Sequence, residues 1–177
     1  MQYRRSNVKG GTYFFTVNLA ERQRTLLIDE INILRTVMKT VIKDHPFVIV
    51  AIVILPDHLH SIWTMPKGDD DFPKRWMLIK SGFSRCISKN ERISASRMKK
   101  GERGIWQRRY WEHCIKDDRD FENHVNYIHY NPIKHGYVKH AVDWEYSSFH
   151  RYVANGLLPK NWGMSSELEH KGSFGER

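Results

Sequence analysis

The sequence has few cysteines, no long apolar run and no nucleotide-binding loop. Cys86 and Cys114 form no C-x-x-C pair, so reduced thiols without a functional role are expected. No apolar run approaches the roughly 20 residues of a membrane-spanning helix, and the first residues do not resemble a secretory leader. The patterns G-x-x-x-x-G-K-[ST] and G-x-G-x-x-G are absent, which disfavours a nucleotide site. These absences predict a cytoplasmic protein with no membrane partner.

Acidic residues are fewer than basic residues. The chain of 177 residues carries 29 Lys and Arg against 20 Asp and Glu, a formal net charge of +9. Basic chains gain affinity for polyanions because bound phosphates release their counterions. The charge therefore favours a nucleic acid partner, although many basic proteins bind nothing specific.

The spacing of apolar residues predicts one α+β domain, with helices packed on a mostly antiparallel sheet. We expect the basic stretch 89–104 to be a mobile loop and the chain after residue 161 to be poorly ordered. The predicted elements are, in chain order, a strand over 12–19, a helix over 26–43, strands over 47–55 and 58–65, a helix over 69–89, a strand over 105–115, and helices over 118–131 and 144–153.

Two histidines stand at the start of the third predicted strand. Because successive side chains of a strand point to opposite faces, His58 and His60 share one face and Leu59 lies on the other. Two adjacent imidazoles make half of a metal site. Histidines at a strand start are also ordinary polar edge residues, so a third ligand is needed to favour a metal.

The helix predicted over 118–131 supplies a candidate third ligand. Tyr127 and Asn131 are four residues apart and share a helix face at the border between the buried side and solvent. Taken singly, Tyr127 fits an ordinary boundary aromatic and Asn131 fits a polar residue before the proline that is expected to end the helix. In a basic chain that also has an H-x-H strand, the two together are a more specific pattern.

Three segments together resemble the REP-associated tyrosine transposases of the HUH single-tyrosine transposase superfamily. They are Leu55-Pro-Asp-His-Leu-His-Ser-Ile-Trp63, Trp106-Gln-Arg-Arg-Tyr-Trp-Glu-His113 and His124-Val-Asn-Tyr-Ile-His-Tyr-Asn-Pro132. The resemblance implies a ferredoxin-like or RRM-like HUH domain over residues 1–153, followed by a tail over 154–177. The stretch 89–103 is long for the family, and the chain after Trp162 matches nothing in it.

The resemblance also implies roles for individual residues. His58 and His60 match the metal-binding pair, Asn131 the helix position that completes the metal site, and Tyr127 the nucleophile. The rival Tyr130 does not share the helix face of Asn131. The implied cofactor is Mg²⁺, and Mn²⁺ also suits imidazole ligands.

The implied enzyme is a bacterial tyrosine transposase, a nickase and strand transferase that acts in DNA transposition and recombination. Its substrate would be single-stranded DNA with hairpin-forming REP elements, cut through a 5′-phosphotyrosine intermediate. We expect a nucleoid-associated monomer rather than a dimer. The residues expected to contact DNA are Arg4, Arg5, Lys9, Arg108, Arg109, Tyr110 and Lys134.

Two alternatives share the same composition. A regulator that binds DNA hairpins without cutting them would be just as basic. A metal nuclease could activate water at His58 and His60 and leave Tyr127 with a structural role only. Replacement of Tyr127 by phenylalanine separates these readings.

Overall fold

A computed structural model describes residues 8–163 and Phe174. The strands are β1 (Thr12–Asn18), β2 (Val48–Ile54), β3 (His58–Thr64) and β4 (Trp111–Cys114). The helices are α1 (Leu26–Asp29), α2 (Ile31–Asp44), α3 (Phe72–Cys86), α4 (Ala95–Met98), α5 (Asp118–Lys134) and α6 (Phe149–Ala154), with a 3-10 turn at Ala141–Asp143.

The sheet order is β2-β3-β1-β4, and every neighbouring pair is antiparallel. Strands and longer helices follow each other as in the βαββαβ ferredoxin-like arrangement, after which α5 and α6 are added. This confirms the predicted α+β class with a mostly antiparallel sheet.

Both faces of the sheet are covered by helices. Alternate residues of β1 pack on one face or the other. Tyr13, Phe15 and Val17 belong to the core formed with α2 and α3. Phe14 belongs to a second, smaller core formed with α5. Because successive side chains of a strand point to opposite faces, β1 contributes residues to both cores.

The register of β1 against β3 places polar residues beside the histidine pair. Asn18 is opposite His58, and Thr16 is opposite His60. Residues directly opposite each other in an antiparallel pair have neighbouring side chains on the same face. Thr16 and His60 are therefore neighbours on the α5 face.

Helix α5 runs further than the sequence predicts. The side chain of Asp117 caps its start by accepting a hydrogen bond from the backbone N–H of Asp120 at 2.8 Å. Pro132 lies inside the helix and does not end it, although proline has no N–H to donate to the preceding turn. The helix ends instead at Lys134, and the φ of 72° at Gly136 turns the chain so that the N–H of Tyr137 donates back to the carbonyl of Pro132 at 3.0 Å.

Other predicted elements are also corrected. The helix predicted over 26–43 breaks at Glu30, because the N–H of Leu27 donates to the carbonyl of Pro56 at 3.1 Å and anchors α1 beside the turn before β3. The strand predicted over 105–115 is only the four residues of β4. The helix predicted from residue 144 begins at Phe149.

The basic stretch 89–104 contains α4 and a buried ion pair. Arg103 Nε lies 2.6 Å from Glu91 Oε1, whose side chain is 1% exposed. The hydrogen bonds from Arg103 lower the pKa of Glu91 to about 2. Arg97 donates to the carbonyls of Arg103 and Trp106, which ties α4 to the segment before β4.

The outer edge of β2 is covered by the segment 146–148 and by α6. The N–H of Ser148 donates to the carbonyl of Ile52 at 2.8 Å, and its Oγ accepts from the N–H of Ile52 at 2.9 Å. Arg151 donates to the carbonyl of Ile49 at 3.0 Å. The backbone groups of this edge are thus bonded within the chain.

The stretch after α6 remains packed as far as it is described. The Trp162 ring lies 5.9 Å from the ring of Phe149. Across the described residues, no helix combines the length and the apolar character required to cross a membrane.

Candidate active site

His58 and His60 lie together on the α5 face of β3. They are 1% and 0% exposed, and their ring centroids are 5.0 Å apart. Leu59 between them belongs to the opposite core. When two imidazoles bind one ion through nitrogens at about 2.1 Å from it, their ring centroids are separated by roughly this distance.

Asp57 orients His58. Its Oδ1 lies 2.7 Å from Nδ1 of His58, and its Oδ2 lies 2.5 Å from Nε of Arg22. Burial opposes ionisation of Asp57, but the hydrogen bond from His58 and the charge of Arg22 outweigh it and lower the pKa of this carboxyl. The ionised Asp57 accepts from Nδ1–H of His58, so Nε2 keeps the lone pair that a metal ligand needs.

Thr16 fixes the tautomer of His60. Its hydroxyl donates to the carbonyl oxygen of Phe174 at 2.5 Å and lies 2.8 Å from Nδ1 of His60. Because that hydroxyl has only one hydrogen, it accepts from Nδ1–H, which assigns the lone pair of His60 to Nε2. Both histidines are thus held in the same tautomer by partners in the chain.

Helix α5 and the residue after it contact the histidine pair on both sides of Asn131. The ring of Tyr127 lies 5.2 Å from that of His60, and the ring of His135 lies 5.3 Å from that of His58. Residues 127, 131 and 135 follow one helix face at four-residue spacing, so Asn131 lies between these two contacts. It is 0% exposed.

Tyr127 is covered on both sides. Its side chain is 2% exposed, and the ring of Phe174 stacks on it at 3.8 Å with an interplanar angle of 19°. Lys134 Nζ donates to the Tyr127 hydroxyl at 3.2 Å and lies 4.8 Å from the ring centroid. The Tyr127 hydroxyl therefore has a cationic hydrogen-bond donor beside it.

The donor set fits a divalent cation. Two imidazole nitrogens and an amide oxygen are a mixed set that Mn²⁺ accepts readily and that Mg²⁺ accepts with more reluctance. His58, His60 and Asn131 are all buried, and the partners of the two histidines already fix their tautomer. Such outer partners are a regular part of metal sites in proteins.

The predicted DNA-contact residues are spread over several places. Arg4 and Arg5 lie outside the described residues. Lys9 and Arg109 are exposed, and Arg108 is exposed but forms an ion pair with Glu102 at 2.8 Å.

The remaining two candidates have partners within the fold. The Tyr110 ring lies 6.0 Å from the rings of Phe15 and Trp76, and this packing favours a structural role over the predicted contact with bases. Lys134 contacts Tyr127, which places it at the candidate site rather than on a separate surface.

Sequence reasoning missed four residues of this site. The sequence patterns assign no individual role to Asp57, Thr16, Arg22 or Phe174. Alternation along β1 together with pairing to β3 could have identified Thr16. Arg22 and Phe174 lie outside the helices and strands, so no periodic pattern marks them.

Comparison with known proteins defines the class. Residues 8–131 match the family described as IS200-like transposases. A protein of Escherichia coli K12 described as a REP-associated tyrosine transposase is 47% identical over 161 residues, which cover 91% of this chain and 90% of the relative. A protein of Haemophilus influenzae assigned to the same group is 47% identical over 173 residues, 97% of this chain and 98% of its own length.

A solved structure agrees with these relatives. It is described as the REP-associated tyrosine transposase bound to a REP hairpin, and it shares 45% identity and a TM-score of 0.84 over 100% of this chain and 98% of its own. This chain belongs to the IS200-like transposase family and, within it, to the REP-associated tyrosine transposases. It is therefore a transposase enzyme.

Proposed function

We propose that this enzyme cuts and rejoins single-stranded DNA at hairpin-forming palindromes through Tyr127. The observation that carries the proposal is the approach of the Tyr127 ring to the His60 ring, 5.2 Å, on one buried surface. Hairpin DNA as the substrate class is supported by the related structure that holds a REP hairpin.

In the first step, the Tyr127 oxygen forms a bond to the phosphorus of one phosphodiester. The bond from phosphorus to the 3′ oxygen breaks, so the 5′ phosphate stays on tyrosine. The phenol loses its proton, and the departing strand gains one to become a 3′-hydroxyl. Rejoining reverses this step with another 3′-hydroxyl and needs no nucleotide, because the phosphotyrosine retains the phosphodiester energy.

A phenol with a pKa of about 10 is only about a thousandth ionised at pH 7, so the nucleophile needs assistance. Lys134 supplies part of it through its hydrogen bond to the Tyr127 hydroxyl at 3.2 Å. His58, His60 and Asn131 would hold a divalent ion, and that ion when bound would neutralise phosphate charge and align the scissile bond. Asp57 and Thr16 keep the two imidazoles in the ligand tautomer.

Basic residues on the surface would guide the DNA. The net charge of +9 and the exposed Lys9 and Arg109 are suited to phosphate contacts. Affinity for DNA should therefore fall as the salt concentration rises. Such contacts position the strand, whereas recognition of the hairpin itself needs contacts to bases or to its shape.

The test uses the full chain with a 3′-end-labelled single-stranded hairpin and either Mg²⁺ or Mn²⁺. We expect a metal-dependent covalent band that contains the 3′-labelled fragment and is lost in Tyr127→Phe. Tyr130→Phe is the matched control, since Tyr130 is the nearby tyrosine on another helix face, and it should keep the band.

The other outcomes would support the alternatives. Cleavage without a covalent band that persists in Tyr127→Phe would overturn the tyrosine mechanism in favour of a water-activating nuclease. Tight binding of hairpins of several sequences without product, under both metals, would favour a non-cleaving regulator.

A further inference from the structure

A second group of metal-ligand side chains lies where β4 meets the start of α5. It consists of His113, Asp120 and His124, whose ligand atoms all lie within 4.8 Å of one another. It is separate from the His58 and His60 pair, which belongs to β3. Below, these three residues are called the β4–α5 cluster.

The cluster follows from local structure. β4 carries His113, and the cap at Asp117 starts α5 so that Asp120 falls in the first turn. Asp120 and His124 are four residues apart on one helix face, which is the spacing at which two helical side chains can bind one ion. Three ligands from a strand and a following helix thus converge without a long loop.

The three side chains already contact each other. Asp120 Oδ2 lies 2.7 Å from Nε2 of His113, and Asp120 Oδ1 lies 3.1 Å from Nδ1 of His124. The backbone N–H of Lys116 also donates to Asp120 Oδ2 at 2.9 Å, which fixes the carboxylate. The two imidazole rings are nearly parallel, with centroids 4.7 Å apart.

The cluster is partly open to solvent. The side chains of His113 and Asp120 are 25% and 19% exposed, whereas that of His124 is 7% exposed. An ion could therefore reach the group and keep water molecules as its remaining ligands. On the inner side, the ring of Phe14 lies 4.7 Å from His124 and 5.6 Å from His60, so it separates the cluster from the first site.

We propose that His113, Asp120 and His124 bind a second divalent transition-metal ion of the zinc class. Two imidazoles and one carboxylate are the ligands of many three-residue zinc sites, and Mg²⁺ would be disfavoured. Tetrahedral ligands at about 2.1 Å from zinc lie about 3.4 Å apart. Nδ1 of His124 also lies 2.8 Å from the backbone carbonyl of Asp120, so binding an ion through this atom requires His124 to move its proton to Nε2. The ligand atoms of the three residues lie within 4.8 Å of one another, so small side-chain movements bring them to the tetrahedral spacing.

The ion would brace the helix that carries Tyr127. His124 lies one turn before Tyr127 on α5, and His113 belongs to the edge strand of the sheet. A metal bond across them would fix the start of the helix against the sheet more firmly than hydrogen bonds do. The inference does not depend on Tyr127 cutting DNA.

The competing explanation is that Asp120 only clamps the two histidines by hydrogen bonds. The variant His113→Gln distinguishes the two, because the glutamine amide can still donate to Asp120 but is a poor zinc ligand. The matched control is His140→Gln, since His140 contacts Asp143 at 3.1 Å in a pair with no third ligand within the described residues.

The experiment measures bound Zn²⁺ by elemental analysis and calorimetry in the full-length His58→Ala/His60→Ala protein. We expect one ion per chain there, weakened at least tenfold by adding His113→Gln and unchanged by adding His140→Gln. No ion in a variant that still unfolds cooperatively would overturn the proposal and leave a hydrogen-bonded clamp only.

A second measurement covers the case in which the double variant fails to fold. Wild-type and His113→Gln proteins are titrated with Co²⁺, whose absorption reports its imidazole ligands. The proposal requires that His113→Gln binds one Co²⁺ fewer than the wild type, and equal numbers would overturn it. If the His58 and His60 pair binds nothing, the wild type takes up one ion instead of two, so failure of the first site is seen separately.

Discussion

The two faces of the central sheet use alternate residues of the same strands but bury different kinds of side chain. On the α2 and α3 face, aromatic rings pack on each other, such as Trp63 and Trp76 at 4.2 Å. On the α5 face, His58, His60 and Asn131 are buried to the same degree. Since buried polar groups lower stability unless they are paired, their concentration on one face indicates function rather than packing.

The first prediction tests whether the two faces are independent by removing a large side chain from the apolar face. Trp63→Ala should lower the free energy of unfolding by about 3–5 kcal/mol, because Trp63 is fully buried between aromatic rings. Denaturant titration measures this loss. Metal affinity of the folded fraction should stay as in the wild type, and a large fall in that affinity would show that the two faces are not independent.

The second prediction concerns the polar face. Asp57→Asn should lower Mn²⁺ affinity about 10-fold to 100-fold, because the amide no longer fixes the tautomer of His58. Calorimetry or electron paramagnetic resonance measures the affinity. The control is Asp69→Asn, which removes an ion pair with Arg75 away from the site and should leave the affinity unchanged.

Asp57→Asn should also change how the free energy of unfolding falls at acid pH. Because folding lowers the pKa of Asp57, its contribution is fully present above the ordinary carboxyl pKa, about 4, and is lost as the pH falls through the lower folded value. Asp57→Asn should therefore lose less stability than the wild type between pH 5 and the acid transition. Equal slopes in that window would contradict the assignment.

The third prediction addresses the charge beside Tyr127. Lys134→Gln should slow formation of the covalent band about tenfold, because a charged donor to the Tyr127 oxygen is replaced by a neutral one. Rates under single-turnover conditions provide the measurement. Lys139→Gln, which changes an exposed lysine of the same region, should leave the rate unchanged.

The smallest effect is expected at Phe174. Its ring stacks on Tyr127 at 3.8 Å, and a stack of this kind contributes about 0.5–1.5 kcal/mol. In the proposed mechanism the DNA has to displace this ring, so Phe174→Ala should raise the rate of covalent attachment about 2-fold to 10-fold. An unchanged rate, with unchanged DNA affinity, would mean that the ring leaves Tyr127 too readily to matter.

The parts of the fold that could be predicted from the sequence are those in which apolar residues recur at strand or helix spacing. Strands β1 to β3 follow from alternation, and the structure has them close to the predicted bounds. The prediction that Tyr127 and Asn131 lie at the border between the buried side and solvent is wrong, because they are 2% and 0% exposed and the Phe174 ring stacks on Tyr127. The break at Glu30 depends on a tertiary bond from Leu27 to Pro56, which no local pattern contains. The covering of Tyr127 by Phe174 joins residues far apart in the chain, so it was equally out of reach.

The bonds that Ser148 and Arg151 make along β2 have a consequence for how molecules of this protein meet. An open strand edge invites a neighbouring chain to add its own strand, the route by which sheets aggregate or exchange segments. Here the chain's own residues occupy Ile52 and Ile49 on that side, so an incoming strand would first have to displace them. Two copies of this protein can therefore meet along this edge without joining their sheets.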